Sequence, residues 1–354
     1  MFTGVKDNYV NQDYSLILDE SLSVGKQKLL VQLAVPTSCT GKPLSHSNVD
    51  IVGLAVQPSW KNEEVKNAIE KVSKAIGYNP EYIISDNAGN LCKACEQAGI
   101  PHHSDISHCF GNMLKKHFSG TPDFKEFTKT MEKKRLSYHL TDKAILLPPK
   151  QRAIARFMNI SNWVKWANNI LSVYHQLTHE QQEACSYVVK YRGLIKELYV
   201  IIDCMNYVEQ RCKSDGLSLP LYNFLTRTIT KRLVIPRDRT ERMLKVGLGM
   251  WEYLKNECAL ITSPHEVHII SSDIIESCFG IYKTTKSPDK LCGVTRHVLA
   301  LPLFMKFTSS QARLSFDFKK AMENVHYRDL KQWKDLNLYE NPAQERMKIT
   351  RKAA

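Results

Sequence analysis

The chain is 354 residues long, 43% hydrophobic and 24% charged, enough for about two packed domains and too apolar for a disordered chain. Its 49 Lys and Arg against 36 Asp and Glu give a net charge of +13, which favours a polyanionic partner. No uncharged apolar run approaches the roughly 18 residues of a membrane span, and the first seven residues lack a secretory apolar core. Ten scattered cysteines fit buried thiols in a reducing cytoplasm better than a disulfide framework.

In chain order, residues 14–19 form an apolar run that ends in an acid and reads as a strand. Residues 27–36, stopped by Pro36, are its hairpin partner, and 49–56 a third strand, which together make an antiparallel meander. The period then changes. Val65, Ile69, Val72 and Ile76 recur at helical spacing up to Gly77. Residues 80–86 are a fourth strand, again ending in an acid; 87–98 a helix closed by Gly99; 101–105 a short fifth strand; and 106–118 a further helix. Three antiparallel strands followed by alternating helix and strand predict an α/β fold, a mixed sheet with covering helices. From 119 to 264 the pattern is mostly helical, with long periodic stretches at 160–177 and 187–212 and a turn at 214–216. A last core helix starts near 271 and runs to about 283, a loop covers 284–293, and an apolar helix follows at 294–307.

Charge is divided unevenly along this order. Residues 1–110 carry 9 Lys, no Arg and 12 acids, a net of −3, and the remainder carries +16. Carboxylates collected for a cation beside cations collected for phosphates are what a metal-dependent nucleic-acid enzyme needs. Asp19 and Asp86 each close an apolar strand; if those strands are neighbours, both carboxylates emerge at one sheet edge. Glu276 lies on the last core helix, which can pack beside them. Three hard oxygen ligands suit Mg²⁺ or Mn²⁺, and two such ions would stabilise both the attacking and the leaving oxygen of an in-line displacement at phosphorus. The stretch Arg227, Lys231, Arg232, Arg237, Arg239 and Arg242 is the nucleic-acid candidate. Cys92 and Cys95 have the spacing of a zinc pair but lie in an expected helix, where Leu91, Ala94 and Cys95 would face the sheet. Trp163 and Trp166 have the helical spacing of core residues.

The segments 15–20, 82–87 and 272–283 resemble the DDE transposases of bacterial insertion sequences. The resemblance spans about residues 14–305 and implies a ribonuclease-H-like core interrupted by an insertion domain before the final glutamate. It therefore implies a first core part at 1–118, a helical insertion at 119–265, a closing helix with the third acid at 266–310, and a basic helical tail at 311–354. It implies that Asp19, Asp86 and Glu276 bind two divalent ions and that the protein cleaves DNA at transposon ends and joins the freed 3′-hydroxyl to target DNA. The expected partner is double-stranded DNA, bound by a homo-oligomer, in the cytoplasm and with no membrane involved. Lys283 lies two helical turns from Glu276, on the same face, as in a related transposase group, and would grip a phosphate. The segment 105–108 resembles the acid-x-x-His element that follows the second aspartate in some transposases, and places His108 at the scissile phosphate. Only about 13 residues precede the first strand, so DNA-end recognition would fall to the insertion and the tail. Two other readings share these features: a structure-selective nuclease on the same core, and a truncated, non-catalytic DNA-binding remnant.

Overall fold

Five strands form one mixed sheet in the order β3-β2-β1-β4-β5. In the computed structural model, which describes residues 9–10, 12–22, 27–150, 160–285, 293–306, 314, 317–323 and 325–352, β1 (Tyr14–Leu22) pairs antiparallel with β2 (Lys28–Pro36), and β2 with β3 (Asp50–Gln57). On its other side β1 pairs parallel with β4 (Ile83–Ser85), and β4 parallel with β5 (His102–Ser104). This is the expected α/β arrangement, a mixed sheet with covering helices. The crossovers are α1 (Asn62–Ile76) and α2 (Gly89–Ala98). Both helices stop at a glycine in the left-handed region, Gly77 (φ 112) and Gly99 (φ 67), where a side chain would be strained.

Alternation along the strands sorts the core into two layers. Leu16, Leu18, Leu30, Ala34 and Ile83 bury against Val65, Ile69 and Val72 of α1 and Leu91, Ala94 and Cys95 of α2. Ile17, Leu29, Val31, Leu33 and Ile84 bury on the other face, against Ile275, Cys278, Phe279 and Tyr282 of α10 (Asp273–Thr285). Each such side chain contributes on the order of 1.5–3 kcal/mol by leaving water, so the face carrying α10 is held as firmly as the α1–α2 face.

Residues 294–306 complete that second layer, but not as one helix. A 3-10 turn, Arg296–Ala300, is capped by the Thr295 hydroxyl and leads into α11 (Leu301–Lys306). Pro302 stands in the first turn of α11, where its missing N–H breaks no bond, and a continuous helix through it would lose one. The loop expected at 284–293 falls largely on 286–292, outside the described residues. Farther on, helices at Phe318–Met322, Tyr327–Asn337 and Pro342–Lys352 follow. The segment read as a tail is tied to the core: Trp333 and Leu338 pack on the second layer, and Gln27 Nε2 donates to the Tyr339 carbonyl (2.5 Å).

The chain divides into two units: one of Met1–Asp105, Lys213–Gly216 and Val267–Ala354, the other of Ile106–Cys212 and Leu217–Glu266. The long elements of the second, among its described residues, are helices: α3 (Ile106–Phe118), α4 (Pro122–Tyr138), α5 (Ile160–Val173), α6 (His179–Lys190), α7 (Arg192–Asp215, its last residues counted with the sheet unit), α8 (Leu219–Ile229) and α9 (Glu241–Cys258). The helix at 106–118, assigned to the core on sequence, belongs to this unit. The periodic stretch 187–212 is two helices parted at Tyr191, with Gly193 in the first turn of the second. Trp163 is buried, donates its indole N–H to the Pro149 carbonyl (2.5 Å) and meets Phe127 edge-on.

Candidate active site

All nine residues of β1 are paired with β2, from Tyr14 opposite Pro36 to Leu22 opposite Lys28. The hairpin partner thus carries the strand past Asp19, which stands inside β1 and not at its end, the place expected from sequence. Asp86 follows directly on β4. In the parallel register Leu16 faces Ile83 and Ile17 faces Ile84, so two residues farther on Asp19 is level with Asp86, on strands about 4.8 Å apart. Asp19 follows Ile17 at the two-residue period, so its carboxylate belongs to the α10 face; Asp86 follows Ile84 but lies past the end of β4, in the turn that opens α2. Each is half-buried and takes a local backbone N–H: Asp19 Oδ1 from Glu20 (2.7 Å), Asp86 Oδ1 from Ala88 (3.0 Å) at the start of α2.

Glu276 is in the first turn of α10, exposed, beside the fully buried Ile275 that seats the helix on the sheet. Lys283 is exposed on the same helix, its Nζ 5.9 Å from the Phe279 ring centre. In donor type and pairing the two aspartates fit a hard divalent ion, which commonly uses one or two carboxylates and completes its shell with water and phosphate oxygens. Glu276 is not gathered with them: among the described residues no three His, Cys, Asp or Glu side chains form a group that could hold a metal ion.

The segment leading into α10 is fastened to β4 and β5 by three side-chain contacts. The phenol oxygen of Tyr82 accepts the Ile269 N–H (2.9 Å), and Tyr82 stacks on His268 at 4.3 Å. His268 Nδ1 and His103 Nε2 are hydrogen-bonded (2.8 Å), both buried, and burial pushes the His103 imidazole down to about 4. Asp105, fully buried, accepts the Ser272 N–H (2.6 Å) and hydroxyl (2.9 Å) at Oδ2. Lys213 adds an ion pair to Asp273 in the first turn. None of these roles was foreseen from sequence. His103 and His268 are 165 positions apart, and Asp105 stood out only as part of the acid-x-x-His element. His108, the other end of that element, lies in α3 of the helical unit, while Asp105 closes the sheet unit.

Cys95 is fully buried in the α2 layer, its thiol pushed up to about 12 by burial, with Leu91 and Ala94 beside it as the helical spacing predicted. In the helical unit the basic candidates separate into two kinds. Arg227, Lys231, Arg237 and Arg239 are exposed, on α8, on the π-helical turn Thr230–Val234 and on the loop after it. Arg232 pairs with Asp203 (2.9 Å) and lies 4.9 Å over Tyr207. Arg242 is half-buried and fully engaged. It donates to Glu197 from Nε (3.0 Å) and Nη2 (2.5 Å), to Asp123 from Nη2 (3.0 Å), and lies 4.8 Å over the Phe118 ring. Its guanidinium is consumed in holding α3, α4, α7 and α9 together, which sets it apart from the phosphate-facing set expected from sequence.

No helix among the described residues is long and apolar enough to cross a membrane. No family model and no curated protein matches the chain. Among solved structures, a Drosophila P element transposase strand transfer complex is similar at a TM-score of 0.41 and 12% identity, over 84% of this chain and 78% of that one. That neighbour is an insect element's transposase, not a bacterial insertion sequence's, and a likeness at this level bears on neither the activity nor the partners of this chain.

Proposed function

We propose that the protein is a DDE-type transposase, which cleaves DNA at element ends and joins the freed 3′-hydroxyl to target DNA, with a divalent ion held by Asp19 and Asp86 and joined by Glu276. The observation that carries this reading is the placement of Asp19 and Asp86: brought level by the register of the neighbouring parallel strands β1 and β4, in the sheet that packs against the helix bearing Glu276. A hard cation between them would neutralise charge on a phosphodiester and activate the attacking water or hydroxyl. The chain's own part is to orient. β2 holds the Asp19 backbone along one side, the turn before α2 fixes Asp86, and the face shared by Glu276 and Lys283 would place a carboxylate and an ammonium along one phosphate track. Arg227, Lys231, Arg237 and Arg239 would hold duplex through its phosphates. The ends would be worked on by an oligomer.

The test is cleavage and joining of a labelled duplex, with a pre-cut end supplied in a second arm, in Mn²⁺ and in Mg²⁺. Asp19→Asn, Asp86→Asn and Glu276→Gln should each reduce both products to the uncatalysed background while duplex binding persists. Cleavage with no joined product from the pre-cut end would make the protein a nuclease. Wild-type cleavage in the Asp19 variant would overturn the proposal.

A further inference from the structure

On the helical unit, α7 and α8 present a face on which rings alternate with cations. Along α7, Tyr199, Asp203, Tyr207 and Arg211 recur every four residues and so line one side of the helix. Along α8 and the π-helical turn after it, Phe224, Arg227, Lys231 and Arg232 follow in the same way. Side chains join the two rows. The Arg211 guanidinium lies 5.8 Å from the Phe224 ring centre; that of Arg232 lies 4.9 Å from the Tyr207 ring centre and pairs with Asp203 (2.9 Å). Phe224 is still 47% exposed with Arg211 over it, and Tyr199 is exposed as well. We infer that this face binds single-stranded nucleic acid, its bases stacked on the rings and its phosphates held by the cations. The unpaired strand is a partner beyond the duplex assigned above to Arg227 and Lys231.

Charge and ring chemistry together choose this occupant. Scattered exposed apolar side chains are ordinary on a protein surface, but here guanidinium groups stand over two of the rings. Arg232 answers Asp203, so Arg211, Arg227 and Lys231 leave the face cationic toward a partner. An acidic protein would match the charge and leave the rings idle. An unpaired strand supplies an anion and a π-face at every nucleotide, and stacking tolerates any base. Duplex shows a protein only the base edges in its grooves, with nothing for a ring to stack on. A lipid surface would call for an uninterrupted apolar stripe, whereas these rings are set between charges. The π-helical turn, closed by the Ile235 N–H on the Thr230 carbonyl (3.0 Å), carries Lys231 and Arg232; such turns are rare and occur frequently at functional sites.

The experiment measures fluorescence anisotropy of labelled oligothymidine and of a labelled duplex with the full chain in EDTA, beside thermal melting and sedimentation with phosphatidylserine vesicles. Phe224→Leu keeps an apolar side chain and removes the ring; it should weaken oligothymidine binding by about tenfold, within the range for one stacked base, and leave duplex binding unchanged. Phe224→Trp should retain wild-type affinity, and Tyr199→Ala should weaken the strand in the same direction. Arg211→Ala should lower the salt slope of oligothymidine binding by about 0.7, the value for one phosphate of a single strand. If Phe224→Leu fails to fold, Tyr199→Ala decides. Wild-type oligothymidine affinity in the folded ring variants, no oligothymidine binding by the wild type, or vesicle binding that the ring variants abolish each overturns the inference. A chain that binds oligothymidine but neither binds nor cleaves duplex sinks the transposase reading and leaves this one standing.

Discussion

The sheet unit and the helical unit solve the problem of buried charge differently. The helical unit holds 24 Lys and Arg against 14 Asp and Glu, most of the chain's excess, yet spends one arginine, the half-buried Arg242, on the buried Glu197, on Asp123 and on an aromatic ring. The sheet unit is nearly balanced, 25 against 22, and buries a lone aspartate and a histidine pair along a single seam. One knot ties helix to helix within a cationic body; the other ties strand ends to a helix start beside the acids. The difference shows that charge count alone says little about where charge works. The basic stretch read from sequence mixes cations that face solvent with one that holds a core.

The largest effect expected from this contrast is on the arginine knot. Glu197→Ala leaves Arg242 partly buried with only Asp123 opposite, which should destabilise the helical unit by about 3 kcal/mol. Calorimetry should show its transition moving down while that of the sheet unit stays; a joint shift would mean that the two seams are not separate. Next comes acid. The His103 imidazole is held near 4 against an ordinary 6.5, so its contribution is fully present above pH 6.5 and is lost as pH falls toward 4. The cost should reach about 3 kcal/mol at pH 4. Urea melts of wild type and His103→Gln should diverge at neutral pH and converge in acid. Smaller again is Gly216→Ala. Gly216 has φ +74 and a Cβ there would come 2.5 Å from Val267 Cγ1, so a loss of about 1–2 kcal/mol is expected in the sheet unit, read by the same melts. The smallest is Lys231→Ala, which should leave folding alone and lower the salt slope of duplex binding by about one, whereas Arg242→Ala should act on stability first. An unchanged slope would remove Lys231 from the DNA-facing set.

Much of the sheet was legible, because strands of alternating or continuous apolar residues leave a two-residue period and proline and glycine mark their ends: Pro36, Gly77 and Gly99 all stop elements where expected. The end of β1 was not, since Ser21 and Leu22 are carried into the strand by their partners in β2 and not by their own pattern. The helices at 296–306 were misjudged for a local reason, the proline at 302. The two aspartates were visible as acids after apolar runs; that they stand level depends on the offset between β1 and β4, which no local pattern encodes. The seam at His103, Asp105, His268 and Ser272 was illegible for the same cause: its partners lie about 165 positions apart and become neighbours only once the sheet is formed.

Asp19 and Asp86 differ in how firmly each is mounted. One rises from mid-strand, laddered to β2; the other springs from the first residue beyond a three-residue strand, steadied by its turn. They resemble a vice with a fixed jaw and a sliding one. An ion held between them, as proposed, would meet Asp19 on a nine-residue strand and Asp86 on a turn, and the turn is where a change of ion size would be accommodated.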